Sequence, residues 1–171
     1  MLVPMTPGSS VSVISTMDPA IDRERSTHGT VEFRGEQVEC LEYINTRLID
    51  PTSWRRSVVF VDGESPTEFV IGVIPPAELN RIEDECVGAE TQRNWRCFLH
   101  GIRDIVNAPS PMIIREGGGE DDVPKILVDG LEYVRPSWLR MRFVRGLRKV
   151  ALEIGLLAYW WNQVQDADVK N

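Results

Sequence analysis

Apolar residues recur at spacings of three and four along much of the second half of the chain, the pattern of one buried face of an α-helix. The pattern predicts helices over residues 77–87, over residues 90–107 and from about residue 138 to 164, with a division at Gly146. We expect the second and third helices to form the helical part of the core. The second helix has a large aromatic face that comprises Trp95, Phe98, Leu99, Ile102, Ile105 and Val106. The third has an apolar face that comprises Val150, Ala151, Ile154, Leu157, Ala158 and Trp161.

Short apolar runs bounded by turn-forming residues predict two β-hairpins. The runs at residues 57–61 and 68–74 are separated by the turn formers of residues 62–66, so they are expected to pair with each other. A second hairpin is predicted over residues 125–134, because Asp129-Gly130 is a dipeptide typical of tight hairpin turns.

Two earlier segments complete the prediction of secondary structure. Alternating apolar residues predict a strand over residues 30–33, whereas residues 38–48 fit one face of a helix better than a strand. The predicted fold class is therefore α+β, in which small β-hairpin elements pack on several helices.

The distribution of apolar residues predicts one domain with an appended arm. Residues 1–27 are rich in Pro, Gly and Ser and poor in large apolar residues, so they predict an extended N-terminal arm. Residues 28–164 are expected to form a single α+β domain, because a chain of 171 residues is long enough for one core. Within it, residues 108–124 predict a flexible acidic Gly-rich loop, and residues 165–171 are a C-terminal tail.

Composition and charge restrict the classes of function. The chain is 42% hydrophobic and 26% charged, as is typical of a globular protein. Its net charge of -7 argues against a general affinity for nucleic acid, since binding to phosphates depends on Lys and Arg. It has no apolar run long enough to span a bilayer and no secretory signal, so we expect a cytosolic protein at synthesis that does not bind membranes.

The residues that most often carry catalysis or bind metals are few and poorly spaced. His28 and His100 match no metal-ligand spacing, and the three cysteines match no zinc or redox pattern, which favours reduced thiols. A Cys97–His100 pair has the spacing of a nucleophile and its base, but a buried thiol beside a half-buried histidine is the favoured interpretation. We therefore predict no catalytic residue, no cofactor and no metal site.

A second feature that could carry chemistry is the glycine run in the predicted loop. Gly117-Gly118-Gly119 is flanked by acidic residues that would repel phosphate, and the acidic residues themselves lack the spacing of a calcium-binding loop. A flexible connector is the favoured interpretation.

Six basic residues and no acidic one fall between residues 135 and 149. Three interpretations are open: a solvated helix face, a surface that docks on an acidic protein, or a nucleic-acid site in which Trp138, Met141 and Phe143 stack on bases. The acidic residues 120–122 are a further, internal candidate partner. The basic residues are Arg135, Arg140, Arg142, Arg145, Arg148 and Lys149.

Three adjacent aromatic residues follow near the C-terminus. One helix cannot bury three consecutive rings against a single side, so at least one ring should face the arm or another subunit. Together with the basic run they form the predicted partner-binding residues: Arg140, Arg142, Arg145, Arg148, Tyr159, Trp160 and Trp161.

The order of parts over about residues 66–164 resembles a group of small tailed-phage proteins from the tail-gene region. The likeness lies in the stretch from Pro66 to Leu79, in Trp95 of the second helix, and in residues 130–134 before the terminal helix. The group comprises tail assembly chaperones and related minor virion proteins. The resemblance implies a non-enzymatic protein that binds other phage structural proteins or copies of itself. It also implies a location in the host cytoplasm during synthesis, and in the virion if the protein is a permanent component.

The predicted arm is not part of that pattern, and it fits a permanent component of a particle at least as well as a transient chaperone. The alternative function is a small nucleic-acid-binding or regulatory protein that uses the Arg-rich residues 135–149.

Overall fold

The computed structural model describes residues 8–26, 30–33, 36–39, 58–107 and 123–169. Its strands are β1 (Ser10–Ile14), β2 (Thr30–Phe33), β3 (Glu36–Glu39), β4 (Glu68–Gly72), β5 (Ile102–Val106), β6 (Lys125–Val128) and β7 (Leu131–Val134). Its helices are α1 (Arg23–Ser26), α2 (Pro76–Glu85), α3 (Glu90–Gly101), α4 (Pro136–Phe143) and α5 (Arg148–Val169). The predicted α+β class is confirmed.

The centre of the fold is an antiparallel sheet in the order β1-β4-β5. Phe69 and Ile71 of the middle strand are fully buried and lie opposite Val13 and Val11 of β1. Helices α3, α4 and α5 contribute most of the remaining core, including Phe98, which makes edge-to-face contacts with Phe69. The fold therefore has one main core between the sheet and the helices.

The predicted hairpin between residues 57–61 and 68–74 is wrong. Strand β4 pairs with β1 on one side and β5 on the other, and Phe60 makes only an isolated bridge to Ile21. The physical reason is burial: a strand with fully buried side chains needs apolar neighbours on both edges, and β1 and β5 supply them.

The predicted extended arm is wrong for residues 8–26. Val11 and Val13 lie in the main core, and Ile14 and Ile21 form a smaller cluster with Val58. A few valines and isoleucines are enough to hold this segment in the domain, because they pack with apolar residues from the rest of the chain. Residues 1–7 and 27 lie outside the described residues.

The helix predicted over residues 90–107 is too long, because α3 ends at Gly101 and β5 follows directly. Ile102 pairs with Ile71 and Asp104 pairs with Val70, so Arg103 is the extra residue of a β-bulge. The bulge turns Ile102 and Ile105 towards the same core. Their spacing of three, which imitates a helical face, is produced by this bulge.

The predicted turn at Asp129-Gly130 and the predicted division between helices at Gly146 are confirmed. Asp129 and Gly130 both have positive φ, 51° and 80°, which is the backbone of the predicted tight turn between β6 and β7. Gly146, with φ of 81°, separates α4 from α5, and the predicted apolar face of α5 is buried. Helix α5 continues to Val169, past the predicted end at residue 164.

Two predictions concern segments that lie mainly outside the described residues. Of the helix predicted over residues 38–48, Val38 and Glu39 lie in strand β3, and the remainder lies outside the described residues. The predicted loop is described only at residues 123–124, of which Val123 packs against the core. None of the helices in the described part of the chain combines the length and the hydrophobicity that a membrane crossing requires.

Helices α3 and α5 approach each other closely at Gly155. A Cβ atom there would overlap the carbonyl oxygen of Asn94, so glycine is required for this approach. Further along α5, Asn162 accepts a hydrogen bond from the backbone N–H of Ile74 at 2.9 Å and holds the segment that follows β4. These contacts hold α5 rigidly against α3 and the sheet.

Candidate protein-binding surface

Helix α4 is anchored by one side and exposes the other. Trp138, Leu139 and Phe143 are buried in the main core. Met141 is 50% exposed, and Val144, which follows the last residue of α4 with a helical backbone conformation, is 45% exposed one helical turn later. The anchored side holds the helix in place, so the exposed side is presented as a preformed face.

Cations flank these exposed apolar residues in the sequence. Arg140 precedes Met141 and Arg145 follows Val144, and both arginines are exposed. Gly146 then turns the chain, so that exposed Arg148 and Lys149 open α5. We call the exposed residues of this corner the basic–apolar surface: Arg140, Met141, Val144, Arg145, Arg148 and Lys149.

A solvent-open pocket of about 660 Å³ lies beside this surface, between the starts of α3 and α5. The half-buried ring of Trp95 lines it, packed on Phe98 with ring centroids 6.0 Å apart. The Arg148 guanidinium lies 5.8 Å from the Trp95 ring centroid, within cation–π distance. The remaining lining comes from Gly88, Ala89, Glu90, Thr91 and Gln92.

The C-terminal aromatic residues occupy a different place. Trp161 is buried, and Tyr159 and Trp160 are half-buried against the main core. The Arg93 guanidinium covers the Tyr159 ring at 3.9 Å from its centroid. Arg148 and Tyr159 are separated by roughly 17 Å along α5. The three rings therefore lie apart from Arg148, and Trp161 is part of the main core.

The basic run itself is divided between environments. Arg140, Arg145 and Arg148 are exposed, whereas Arg142 is half-buried. Of the side chains that were candidates to stack on bases, Trp138 and Phe143 are buried. A nucleic acid at this corner would therefore find cations but neither of these two rings.

The Cys97–His100 pair lies on α3 in surroundings unsuited to a nucleophile. Cys97 is fully buried, and this burial raises the pKa of its thiol to about 12. Because only a thiolate is a good nucleophile, Cys97 is unreactive at neutral pH.

His100 belongs to a cluster of ionic groups between α2 and α3. Its Nε2 lies 3.4 Å from Glu78 Oε1, and Arg96 donates to the same oxygen at 3.3 Å. Burial lowers the pKa of His100, Arg96, Arg140 and Arg81 lower it further, and Glu78 opposes them. This cluster joins the two helices. Sequence reasoning missed it because Glu78 lies on another helix, although Arg96 and His100 are one helical turn apart.

Among the residues that the structure describes, no three His, Cys, Asp or Glu side chains are close enough together to hold a metal ion. No protein-family model matches the sequence, and neither a curated protein nor a solved structure matches it. Function is therefore inferred from the residues and their geometry.

Proposed function

We propose that this chain is a non-enzymatic binding protein that joins other proteins, or copies of itself, through the basic–apolar surface. The class that its layout resembles is the tailed-phage group of tail assembly chaperones and minor virion proteins. Residues 8–26 belong to the domain, so the proposal depends on the α4–α5 corner and not on an arm.

The observation that carries the proposal is a pair of exposed apolar side chains, flanked in the sequence by cations, at the end of an anchored helix. Met141 and Val144 are 50% and 45% exposed, although Trp138 and Phe143 on the same helix are buried. Apolar contacts at the centre of an interface supply affinity, and charges at its rim supply orientation and choice of partner. The surface therefore fits a partner with an apolar centre and an acidic rim.

Two observations weigh against other classes. The burial of Trp138 and Phe143 removes two rings from the candidate nucleic-acid site, which leaves phosphate contacts alone at those positions. The raised pKa of Cys97, about 12, is the reverse of what a catalytic cysteine needs.

Site-specific photo-crosslinking, in cells that produce the protein, tests the proposal. Benzoylphenylalanine replaces Met141 in one variant and Leu127, which is 72% exposed on β6, in a control. We expect discrete adducts with protein, a second copy included, from position 141 and not from position 127. Adducts with nucleic acid alone would favour the alternative function, and equal adducts from both positions would contradict a specific surface.

A further inference from the structure

We infer that the basic–apolar surface docks on the end of α2 in a second copy of this chain, where exposed Val87 is flanked in the sequence by acidic residues. This inference rests on the proposed function, which it deepens by naming the partner. The basic–apolar surface fits a partner with an apolar centre and an acidic rim, and this chain carries such a surface itself.

The apolar centre of the second surface is Val87, on the turn between α2 and α3. Its side chain is 84% exposed, whereas Cys86 beside it is buried in the main core. The backbone N–H of Ala89 donates to the carbonyl of Cys86 at 3.0 Å and closes the turn. The turn is therefore anchored before binding, and an ordered surface loses less conformational entropy on binding than a mobile one.

Acidic residues flank Val87 along the chain. Glu83 and Asp84 precede it on the last turn of α2, Glu90 opens α3, and all three are exposed. Glu83 accepts a hydrogen bond from the neutral side-chain amide of Gln163 at 2.6 Å, so its negative charge is kept. We call these exposed residues the acidic corner: Glu83, Asp84, Val87 and Glu90.

The charges of the two surfaces are opposite and are not paired within the molecule. Arg145 and Lys149 of the basic–apolar surface form no ion pair with any residue that the structure describes. The same is true, within the described ranges, of Asp84 and Glu90 in the acidic corner. Charges that are unpaired before binding can pair across an interface, where they set orientation and choice of partner.

One molecule does not bring its own two surfaces together. Glu90 and Arg148 line the same pocket, but no ion pair joins these two described residues. The helices that carry them are held in place by the close approach of Gly155 to Asn94. The opposite charges therefore meet when a second copy supplies one of the two surfaces.

The exposed apolar residues complete the match. Met141 and Val144 on one surface and Val87 on the other all lose exposed area to each other in this arrangement. Burial of apolar area is the main favourable contribution to protein association. Because three side chains form only a small apolar centre, we expect a reversible contact at the small end of the range of interface sizes.

Complementary charge reversals test the inference, with sedimentation velocity of the purified full chain as the readout. The first variant carries Asp84→Lys and Glu90→Lys, and the second carries Arg145→Glu and Lys149→Glu. We expect the wild-type protein to associate at about 0.05 M salt and to dissociate at about 0.5 M salt, where charges are screened. Each variant alone should associate at least about tenfold more weakly than the wild type, because like charges then face each other.

Mixing the two variants separates a specific contact from a general effect of charge. The first variant keeps the basic–apolar surface and the second keeps the acidic corner, so an equimolar mixture should form a one-to-one complex. A wild-type protein that stays monomeric up to about 0.5 mM at low salt would overturn the inference. A mixture of folded variants that stays monomeric would overturn it as well.

A second pair of variants tests the apolar centre without a change of charge, and it decides the matter if a charge variant fails to fold. Val87→Ser should weaken self-association by about tenfold, because it removes the apolar centre of the acidic corner. Leu127→Ser, at a position 72% exposed on β6, is the matched control and should leave self-association unchanged. Equal effects of the two substitutions would contradict docking on Val87.

The inference and the proposed function fail in distinguishable ways. If position 141 forms adducts only with other proteins and the purified protein is monomeric, the inference is wrong and the proposed function stands. If position 141 forms no protein adduct, the proposed function is wrong and the inference falls with it.

Discussion

Thr16 and Glu153 are 137 residues apart in the sequence and are joined by two hydrogen bonds. The backbone N–H of Thr16 donates to Glu153 Oε1 at 2.8 Å, and its hydroxyl donates to Oε2. Glu153 lies on α5 and Thr16 follows β1, so this contact joins the N-terminal segment to the longest helix. It is the clearest reason why residues 8–26 are part of the domain.

Replacing Glu153 should destabilise the whole domain. Glu153→Ala removes both acceptors of the Thr16 donors, and we expect a loss of about 1–2 kcal/mol in the free energy of unfolding. Urea denaturation followed by circular dichroism measures the loss. Asp84→Ala, at an exposed position on α2, is the control. An equal change in the two variants would mean that the contact between Thr16 and Glu153 contributes little to stability.

Gly155 should not tolerate the addition of a single methyl group. Alanine has a helix propensity about 1 kcal/mol better than glycine, but its Cβ would overlap the backbone of Asn94. We expect the cost of this overlap to exceed the gain in helix propensity. Gly155→Ala should therefore lower the free energy of unfolding by at least roughly 1 kcal/mol. Gly8→Ala, where a Cβ has open space, is the matched control. A more stable Gly155→Ala protein would contradict the close packing of α3 on α5.

Cys97 should be inert in the folded protein. Its side chain is fully buried and its pKa is raised to about 12, so the thiol stays protonated between about pH 7 and pH 9. We expect iodoacetamide to modify it only as fast as the protein unfolds, and quickly in denaturant. Peptide mass analysis after timed labelling measures the rate. Native-state labelling as fast as that of a small free thiol would reopen the possibility of a nucleophile.

His100 should make stability depend on pH below its usual pKa of 6.5. Burial lowers the folded-state pKa, so between the two values the unfolded chain binds more protons than the folded protein. The contribution of His100 is therefore complete above about pH 6.5 and is lost as the pH falls. His100→Gln should flatten the stability profile between about pH 5 and pH 7, whereas Gln92→Asn, at an exposed position on α3, serves as the control. The same profile in both variants would show that His100 is not responsible.

The parts of the fold that local sequence determines were predictable. Asp129-Gly130 specifies the turn between β6 and β7, because both residues readily adopt positive φ. Gly146 ends one helix before another begins for a similar reason. The apolar face of α5 was predictable because its spacing of three and four continues over several turns.

Other parts depend on contacts between distant residues. The pairing of β1 with β4 joins segments about sixty residues apart, and a closer apolar run at residues 57–61 competed for the same prediction. The bulge at Arg103 gives a strand the spacing of a helix, so periodicity alone selects the wrong element.

The candidate surface was predictable only in part. The basic run was evident from sequence, and Arg140, Arg145 and Arg148 are indeed exposed. Exposed Met141 could not be told apart from buried Trp138 and Phe143 by sequence alone, because the neighbours of α4 decide which side is covered. The pocket beside Trp95 was missed because two segments about fifty residues apart form it.

The most direct test of the proposed function is the yield of protein adducts from position 141 after the neighbouring cations are neutralised. One variant carries Arg140→Gln and Arg145→Gln, and the control carries Gln37→Glu and Asn80→Glu at exposed positions elsewhere, so both lower the net charge equally. We predict that the first loses most of its adducts in producing cells, by about tenfold, and that the control keeps them. Equal yields in the two variants would contradict docking through the basic–apolar surface.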